Sequence, residues 1–241
     1  MNKDSMKEIL ESQSAVLKAL AGKLGDFYLA GGTALANYHL QHHRESYDLD
    51  FFAQQYNPSR VDEIAKSISD QLKKTMRVVA REEGRAKFAD IRRYDLILDK
   101  KTALRIDFVR DVHDRLEPLM EINGIQVLSL PDIYLRKIYA VTGVLAKPDA
   151  TGRMITEGGR QTARDLFDLY HLSTRYQPLS DFAVKYCDDM QIEGLCNWYH
   201  SFDRMTIKTE LLEIRTRLPL EFRDMDRHFL IEINRLYERM L

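Results

Sequence analysis

The sequence lacks long apolar runs, a leader-like start and more than a minimal number of cysteines, and each absence removes a class of protein. No apolar stretch approaches the roughly 18 residues that a membrane-spanning helix needs. The N-terminal segment MNKDSMKE is polar and has no apolar centre of the signal-peptide kind, so we expect a cytoplasmic protein with no membrane partner. The two cysteines, Cys187 and Cys196, are too few for a disulfide scaffold and match no zinc spacing. We interpret both as reduced structural thiols.

An excess of charge of one sign is also missing. The chain has 36 Lys and Arg against 37 Asp and Glu, a formal net charge of −1. Proteins that bind nucleic acid through its phosphates usually show a basic balance or stripe, so any such surface here must be local. The candidate segment is 77–93, whose basic residues are Arg77, Arg81, Arg85, Lys87, Arg92 and Arg93. A solvated sheet edge guarded by charge accounts for this run equally well.

The hydrophobic pattern changes along the chain from mixed helices and strands to helices alone. The predicted elements before residue 129 are helix 3–22, strand 27–30, helix 33–41, strand 48–53, a helix opening at Pro58, strands 76–80, 86–91, 94–98 and 103–109, and a hairpin around Asn123-Gly124. From Ser129 onward the pattern is helical, with later helices at 180–188, 192–202, 207–215 and 220–240. We therefore expect an α/β lobe, 1–128, and a helical lobe, 129–241, with a cleft between them.

The strongest local signal is a glycine turn followed by paired carboxylates. Gly31, Gly32 and Thr33 fall between a predicted buried strand and a predicted helix, where backbone N–H groups can receive a phosphate. Asp48 and Asp50 lie one residue apart on the next strand and so point to the same face. Two like charges on one face favour a divalent cation between them, and oxygen ligands suit Mg²⁺. Taken separately, such glycines more often form only a tight turn, and such acids more often lie at a solvated strand edge or cap a turn.

Three further charged positions stand out in apolar surroundings. Asp107 interrupts the apolar strand LRIDFV, where an unpaired carboxylate is costly unless it faces outward. Lys137 lies on an otherwise apolar helix stripe, from which it either snorkels to the surface or projects into the cleft. Asp165 and Asp168 are three residues apart and adjacent on a helix face, although Asp165 also suits the helix dipole.

The order of these motifs resembles a known enzyme superfamily. GGTAL at 31–35 followed by HRESYDLDFF at 43–52 is similar to the signature of the DNA polymerase β-like nucleotidyltransferases. It looks most like the AbiEii/AbiGii toxin branch, to which the MenT toxins are related. DIYLRKIYA at 132–140 and RDLFDLYHL at 164–172 resemble later motifs of the same branch.

The resemblance implies a fold, a chemistry and partners. The implied fold is α+β, a polymerase β-like lobe with a mixed sheet followed by a helical lobe. The implied reaction is two-metal transfer of a nucleoside monophosphate from a nucleoside triphosphate to an RNA acceptor, such as the tRNA 3′ end, and the implied partner is a cognate antitoxin. The residues assigned in this way are Asp48, Asp50 and Asp107 as Mg²⁺ ligands, Gly31, Gly32 and Thr33 as phosphate contacts, and Lys137 with Asp165, favoured over Asp168, as further catalytic residues.

Several neighbouring features receive weaker assignments. Arg44 is expected to contact phosphate, and Ser46 to orient a metal-binding carboxylate. His39 and His43 are four residues apart and could share a metal, but we expect them on the surface. The segment 144–163 is longer than in relatives and is predicted to be a mobile loop. The residues predicted to be core rather than a base-stacking platform are Trp198, Tyr199 and Phe202.

Two other functions remain open at this point. One is the same chemistry on a small hydroxylated molecule, as in antibiotic nucleotidyltransferases, which the neutral charge balance favours. The other is a non-catalytic binding module that keeps the fold. Retention of five charged residues of the implied site argues against the binding module, because an inactive protein of this fold has no reason to keep them.

Overall fold

The computed structural model describes residues 3–84, 89–143, 145–148, 150–152, 154–157, 159–216 and 221–240. Contacts between Cα atoms divide the chain into two units, residues 1–41 with 46–130 and residues 42–45 with 131–241. The lobes expected from the sequence, 1–128 and 129–241, and the cleft between them stay a prediction. Across the described ranges, no helix has both the length and the apolar character that crossing a membrane requires.

The first unit is built on a mixed sheet. Its elements are α1 Lys3–Leu20, β1 Tyr28–Ala30, α2 Gly31–Ala34, β2 Asp48–Ala53, α3 Pro58–Leu72, β3 Met76–Glu82, β4 Ile91–Ile97, β5 Ala103–Arg110, β6 Met120–Ile122 and β7 Ile125–Val127. A π-helical turn, Leu35–His39, continues α2 directly. The seven strands lie in the order β3-β4-β5-β2-β1-β7-β6. Strand β2 is parallel to β5 and β1 to β7, while the other neighbours are antiparallel.

Alternation along the strands separates an apolar face from a charged one. In β2, Leu49 and Phe51 are fully buried, whereas Asp48 and Asp50 are half-buried and point the other way. Helix α3 covers the apolar side, where its Asp62 accepts hydrogen bonds from Arg92 and Tyr94 of β4. The acids therefore lie on the opposite face of the sheet from α3.

Local chemistry sets the ends of these elements. Asn57 caps α3 by accepting hydrogen bonds from the N–H groups of Ser59 and Arg60, and Pro58 opens the helix. Asn123 and Gly124 have φ angles of 51° and 76°, so the β6–β7 hairpin turns through two left-handed residues as a type I′ signal predicts. The strand predicted at 86–91 falls largely on residues outside the described part, and β4 begins only at Ile91.

The second unit is mainly helical. Its elements are α4 Leu130–Thr142, β8 Leu145–Pro148, β9 Met154–Glu157, α5 Ala163–Arg175, α6 Leu179–Tyr186, α7 Asp189–Ser201, α8 Arg204–Leu211 and α9 Phe222–Met240. The prediction of helices alone after Ser129 is wrong at β8 and β9, which pair as an antiparallel hairpin inside the segment expected to be a mobile loop. Gly152 lies between the two strands with a φ of 83°, in the left-handed region that favours glycine. The residues confirmed as core are Trp198, Tyr199 and Phe202.

The cysteines are free thiols, as the sequence predicted. Cys196 is buried and Cys187 is half-buried. Burial raises the pKa of the Cys187 thiol to about 12, so this side chain stays protonated near neutral pH.

Candidate active site

Two rows of charged side chains cross the face of the sheet opposite α3. The first row runs over β2, β5, β4 and β3 and consists of Asp48, Arg105, Asp95 and Arg77. The second runs over β2, β5 and β4 and consists of Asp50, Asp107 and Arg93. Signs alternate in the first row, but Asp50 and Asp107 are direct neighbours in the second. Like charges directly opposite each other destabilise a sheet, so this pair marks a place where a cation belongs.

The glycine turn packs directly on one of these acids. Gly31 follows β1 with a φ of 68°, in the left-handed region that favours glycine. A Cβ atom at this position would overlap the carboxylate of Asp50. The close approach of backbone and carboxylate therefore requires glycine, and Gly31 and Gly32 both remain partly exposed beside it.

Thr33 holds the strand that carries the acids. Its side chain is fully buried, and its hydroxyl donates a hydrogen bond of 2.5 Å to the backbone carbonyl of Asp48. Gln13 of α1 donates to the same carbonyl at 3.1 Å. The predicted contact of the Thr33 hydroxyl with a phosphate does not fit this geometry, because its proton is already committed to Asp48.

Asp107 is bound by an arginine of the neighbouring strand. Arg93 Nε donates to both carboxylate oxygens of Asp107, at 2.8 and 3.0 Å, and Nη2 donates to Oδ2 at 2.7 Å. Asp107 is only 7% exposed, so the interpretation of this residue as a solvated, outward-facing acid is wrong. The hydrogen bond from Arg93 to Asp107 raises the pKa of the guanidinium against the effect of burial, and the charges of Asp107, Asp50 and Asp48 add to the rise.

The acidic face suits a divalent cation in donor type and in position. Carboxylate oxygens are the ligands that Mg²⁺ prefers, and the sheet register brings Asp50 and Asp107 side by side with Asp48 two residues away. As the side chains stand, no three His, Cys, Asp or Glu residues in the described ranges are grouped closely enough to hold a metal ion. Both Asp107 oxygens face Arg93 in this arrangement, so a metal-binding arrangement requires the Asp107 carboxylate to be shared with, or released by, the guanidinium.

The second unit contains a buried charge cluster around Asp168 of α5. The Asp168 side chain is fully buried and accepts hydrogen bonds from Arg44 Nε at 2.6 Å, Arg44 Nη2 at 2.7 Å and His43 Nε2 at 2.8 Å. Lys137 Nζ lies 2.7 Å from Asp168 Oδ2. Burial alone would raise the pKa of Asp168, but the charges of Arg44 and Lys137 outweigh it and hold the pKa well below its usual range.

Lys137 bridges the two aspartates of α5. Its ammonium lies 3.0 Å from Asp165 Oδ1 as well as 2.7 Å from Asp168, and its side chain is 10% exposed. The alternative in which Lys137 snorkels to the surface is therefore wrong. Asp165 also accepts from Arg160 at 3.0 Å and from the Thr162 hydroxyl at 2.8 Å. Burial alone would raise the pKa of Asp165. The charges of Lys137 and Arg160 lower it by more, so the net shift is downward.

These contacts bear on two predictions for the segment before β2. Arg44 is buried and its Nε, Nη1 and Nη2 all donate to protein acceptors, so the predicted phosphate contact does not fit. His43 is buried against Asp168 rather than on the surface, and burial lowers the pKa of its imidazole. Gln41 and His42 adopt left-handed φ angles of 51° and 57°, a local reversal that sequence periodicity does not reveal. Ser46 is half-buried two residues before Asp48, and its orienting role stays a prediction.

The partners of the predicted acids are what sequence reasoning missed. Arg93 appeared only as one member of a basic run, in which Arg92 and Arg93 now point to opposite faces and Arg85 and Lys87 lie outside the described residues. The signal available in the sequence was strand alternation, which places Arg93 and Asp107 on the same face once β4 and β5 pair. The register of β4 on β5, which places Arg93 directly opposite Asp107, comes from the structure.

Comparison with known proteins shows the family and the fold of the chain. A family model described as the nucleotidyl transferase AbiEii toxin of a type IV toxin–antitoxin system matches residues 15–234. No curated protein matches the sequence. Among solved structures, JHP933 from Helicobacter pylori is 16% identical with a TM-score of 0.55, over 100% of this chain and 96% of that one. MenT4, a nucleotidyltransferase toxin from Mycobacterium tuberculosis H37Rv, is 13% identical with a TM-score of 0.51, over 97% and 85%. At these identities the likeness concerns the fold, and the predicted α+β, polymerase β-like class is confirmed.

Proposed function

Because the chain belongs to the AbiEii nucleotidyltransferase toxin family, we propose that it transfers a nucleoside monophosphate from a nucleoside triphosphate to RNA. The proposed acceptor is a hydroxyl at the tRNA 3′ end, and pyrophosphate leaves. In this proposal the chain acts in the cytoplasm as the toxin of a type IV toxin–antitoxin system and is neutralised by a cognate antitoxin. Family membership supports nucleotidyl transfer, a triphosphate substrate and an antitoxin partner, while the acceptor is our own assignment.

The observation that carries this proposal is the pairing of Asp50 with Asp107 across two parallel strands. Asp48 lies two residues before Asp50 on the same face, and these three carboxylates are the proposed ligands of Mg²⁺. When bound, Mg²⁺ neutralises charge on the triphosphate and lowers the pKa of the acceptor hydroxyl. The protein contributes the rigid spacing of the acids, since the sheet register fixes their backbones.

The glycine turn is proposed to receive the triphosphate. Gly31 and Gly32 present backbone without a Cβ beside Asp50, and backbone N–H groups are good phosphate donors. Thr33 acts indirectly here, by holding the Asp48 carbonyl. Phosphate contact from this turn is therefore assigned to its backbone.

Lys137 and Asp165 are retained as proposed catalytic residues. Asp165 and Asp168 flank the ammonium at 3.0 and 2.7 Å, which fixes its position. A positioned ammonium stabilises the charge that develops on a transferring phosphoryl group. Asp165, whose side chain is 4% exposed, retains more contact with solvent than Asp168, at 0%, which supports our preference for Asp165 as the functional acid.

The test is transfer of label from each of the four α-labelled nucleoside triphosphates to total tRNA, with Mg²⁺ present. Label should appear on tRNA with the wild-type chain and should be absent with Asp48→Asn. Binding through a few local basic residues predicts a modest dependence on salt, because few phosphates are neutralised. Triphosphate binding in Mg²⁺ with no label on any RNA would overturn the RNA assignment while leaving the nucleotide site standing.

One observation favours a second candidate, a small hydroxylated molecule as acceptor. The net charge of −1 gives no general attraction for RNA, and the basic segment divides between two faces of the sheet. Label appearing only on a small molecule in a cell extract, with tRNA unlabelled, would select this candidate. Both candidates use the same carboxylates, so Asp48→Asn abolishes labelling in either case.

A further inference from the structure

One arginine of the acidic face, which the family assignment does not explain, is bound directly to a proposed metal ligand. Arg93 lies on β4 at the same level as Asp107 of β5 and Asp50 of β2. Neighbouring strands are ~4.8 Å apart, so its backbone is two strands from Asp50 and only its long side chain brings charge to the acids. Its fork covers both oxygens of Asp107, while the side chain remains 33% exposed.

Arg93 occupies the position of a cation in the second charged row. The first row alternates in sign at every step, from Asp48 through Arg105 and Asp95 to Arg77. In the second row, Asp50 and Asp107 repel each other, and Arg93 is the next residue along. The negative charges of Asp107, Asp50 and Asp48 all act on its guanidinium, and they add to the rise in its pKa that the Asp107 hydrogen bond causes. By reciprocity, the guanidinium lowers the negative potential that a metal ion experiences at the same three acids.

We propose that Arg93 is an internal counter-ion of the metal site, which weakens divalent-cation binding until a nucleoside triphosphate is present. This rests on the proposed function, because it takes Asp48, Asp50 and Asp107 to be the metal ligands. Without nucleotide, the guanidinium satisfies Asp107 and repels a second cation from the face. When a triphosphate is bound, its negative charge offsets that repulsion and offers the guanidinium a second partner, since arginine binds phosphate and carboxylate oxygens alike.

The consequence is that metal and nucleotide bind cooperatively. Binding of the metal makes binding of the nucleotide more favourable, and binding of the nucleotide favours the metal by the same factor, because such coupling is reciprocal. A chain that held a divalent cation tightly without nucleotide would not need Arg93 at this position. Arg93 is thus assigned as a positioning residue that acts through Asp107, and not as a group that touches the reacting atoms.

The experiment measures Mn²⁺ binding to the full chain by the loss of the free-ion EPR signal, with and without a non-hydrolysable triphosphate analogue. Arg93→Gln removes the charge and should tighten nucleotide-free binding about tenfold, and it should reduce the effect of the nucleotide. Arg93→Lys keeps the charge and should bind within about threefold of wild type. Arg77→Gln is the matched control, because Arg77 also pairs with an aspartate of the next strand on this face, at 2.9 Å from Asp95. It should leave Mn²⁺ binding unchanged.

The outcomes separate this proposal from the function on which it rests. Unchanged or weaker Mn²⁺ binding by Arg93→Gln, with normal binding by wild type, overturns the counter-ion role and leaves the metal site intact. If Arg93→Gln does not fold by circular dichroism, Arg93→Lys decides, because a loss of affinity there means that the fork orients Asp107 and the charge does not oppose the metal. No Mn²⁺ binding by wild type even with nucleotide would overturn the metal site and this proposal together.

Discussion

The acidic face of the sheet and the charge cluster of the helical unit use aspartates in opposite ways. On the sheet, Asp50 and Asp107 are direct neighbours and Asp48 lies two residues from Asp50, so like charges adjoin. Around Asp168, each aspartate is in contact with cations instead, since Asp165 and Asp168 meet Arg44, Lys137 and Arg160. The first arrangement places like charges side by side and is suited to bind a cation. The second is neutralised internally and is suited to hold a lysine in place.

This difference teaches where function and stability reside. Removing a charge from a place where like charges adjoin relieves repulsion, whereas removing one from a compensated, buried cluster leaves other charges stranded. Substitutions of the same chemical type should therefore have opposite effects in the two places. Asp to Asn is the cleanest comparison, because it removes charge with almost no change in shape.

The largest expected effect is on activity, at the acidic face. Asp48→Asn or Asp50→Asn should reduce nucleotidyl transfer on the order of a thousandfold or more, because a metal ligand contributes several kcal/mol to the transition state. The melting temperature should stay near wild type or rise, since repulsion within the acidic group is relieved. Labelling of acceptor and thermal unfolding are measured on the same preparations. Full activity in the Asp48→Asn, Asp50→Asn double variant would remove the metal-site assignment.

Next in size is a loss of stability in the helical unit. Asp168→Asn should lower the free energy of unfolding by about 3–5 kcal/mol, because it strands Arg44 and Lys137 in a buried site. The matched control is Asp181→Asn in α6, whose carboxylate is 45% exposed and pairs with Arg239. The Asp181→Asn substitution should lower the free energy of unfolding by no more than about 1 kcal/mol. Urea unfolding followed by circular dichroism compares the two, and equal losses would show that the Asp168 cluster is not a stabilising unit.

A smaller effect is expected from pH, through the buried histidines of the second unit. Burial and the charges of Arg175 and His43 lower the pKa of His171 to about 4. In the unfolded chain this imidazole has a pKa near 6.5, so between about pH 6.5 and pH 4 it binds a proton there but not in the folded chain. Stability therefore falls as the pH drops through that range. Between pH 7 and pH 5 this group should account for a loss of about 1–2 kcal/mol.

The test compares urea midpoints at pH 7 and pH 5. His171→Phe removes the titrating group and should shrink the loss, and His200→Asn, at an exposed position of α7, serves as the control. Asp165 and Asp168 affect stability at lower pH. Because their pKa values are depressed in the folded chain, they stabilise the fold above about pH 4, and this contribution is lost as the pH falls further. An identical pH 5 loss in wild type and His171→Phe would contradict the assignment to this residue.

Much of the fold followed from pattern, because the signals were local. Alternation in DLDFFA predicted the strand and the shared face of Asp48 and Asp50, and the Asn123-Gly124 turn predicted the hairpin. The helices of the second unit were predicted from apolar periodicity to within a few residues. The hairpin at β8 and β9 was missed because its strands are only four residues long, too short for period-two alternation to stand out.

The acidic residues of the candidate site could be predicted from the sequence, but the residues that bind them could not. Asp107 and Lys137 are unusual residue types in apolar stretches, which a sequence displays directly. The guanidinium on Asp107 and the fork from Arg44 to Asp168 depend on strand register and on a left-handed turn, and these are set by tertiary packing. Thr33 shows the same limit, since its residue type suits a phosphate but its hydroxyl faces the Asp48 carbonyl.

The smallest expected effect tests that last contact. Thr33→Val keeps the shape of the side chain but removes the donor to the Asp48 carbonyl, while Gln13 still donates to the same oxygen at 3.1 Å. The free energy of unfolding should therefore fall by only about 0.5–1.5 kcal/mol. Thr33→Ser keeps the hydroxyl and should retain most of this contribution. The Kd for triphosphate should change little in either variant, because the hydroxyl is buried and already donates its hydrogen bond to the Asp48 carbonyl. A large loss of triphosphate affinity in Thr33→Val alone, with stability unchanged, would return the hydroxyl to the phosphate contact that the sequence predicted.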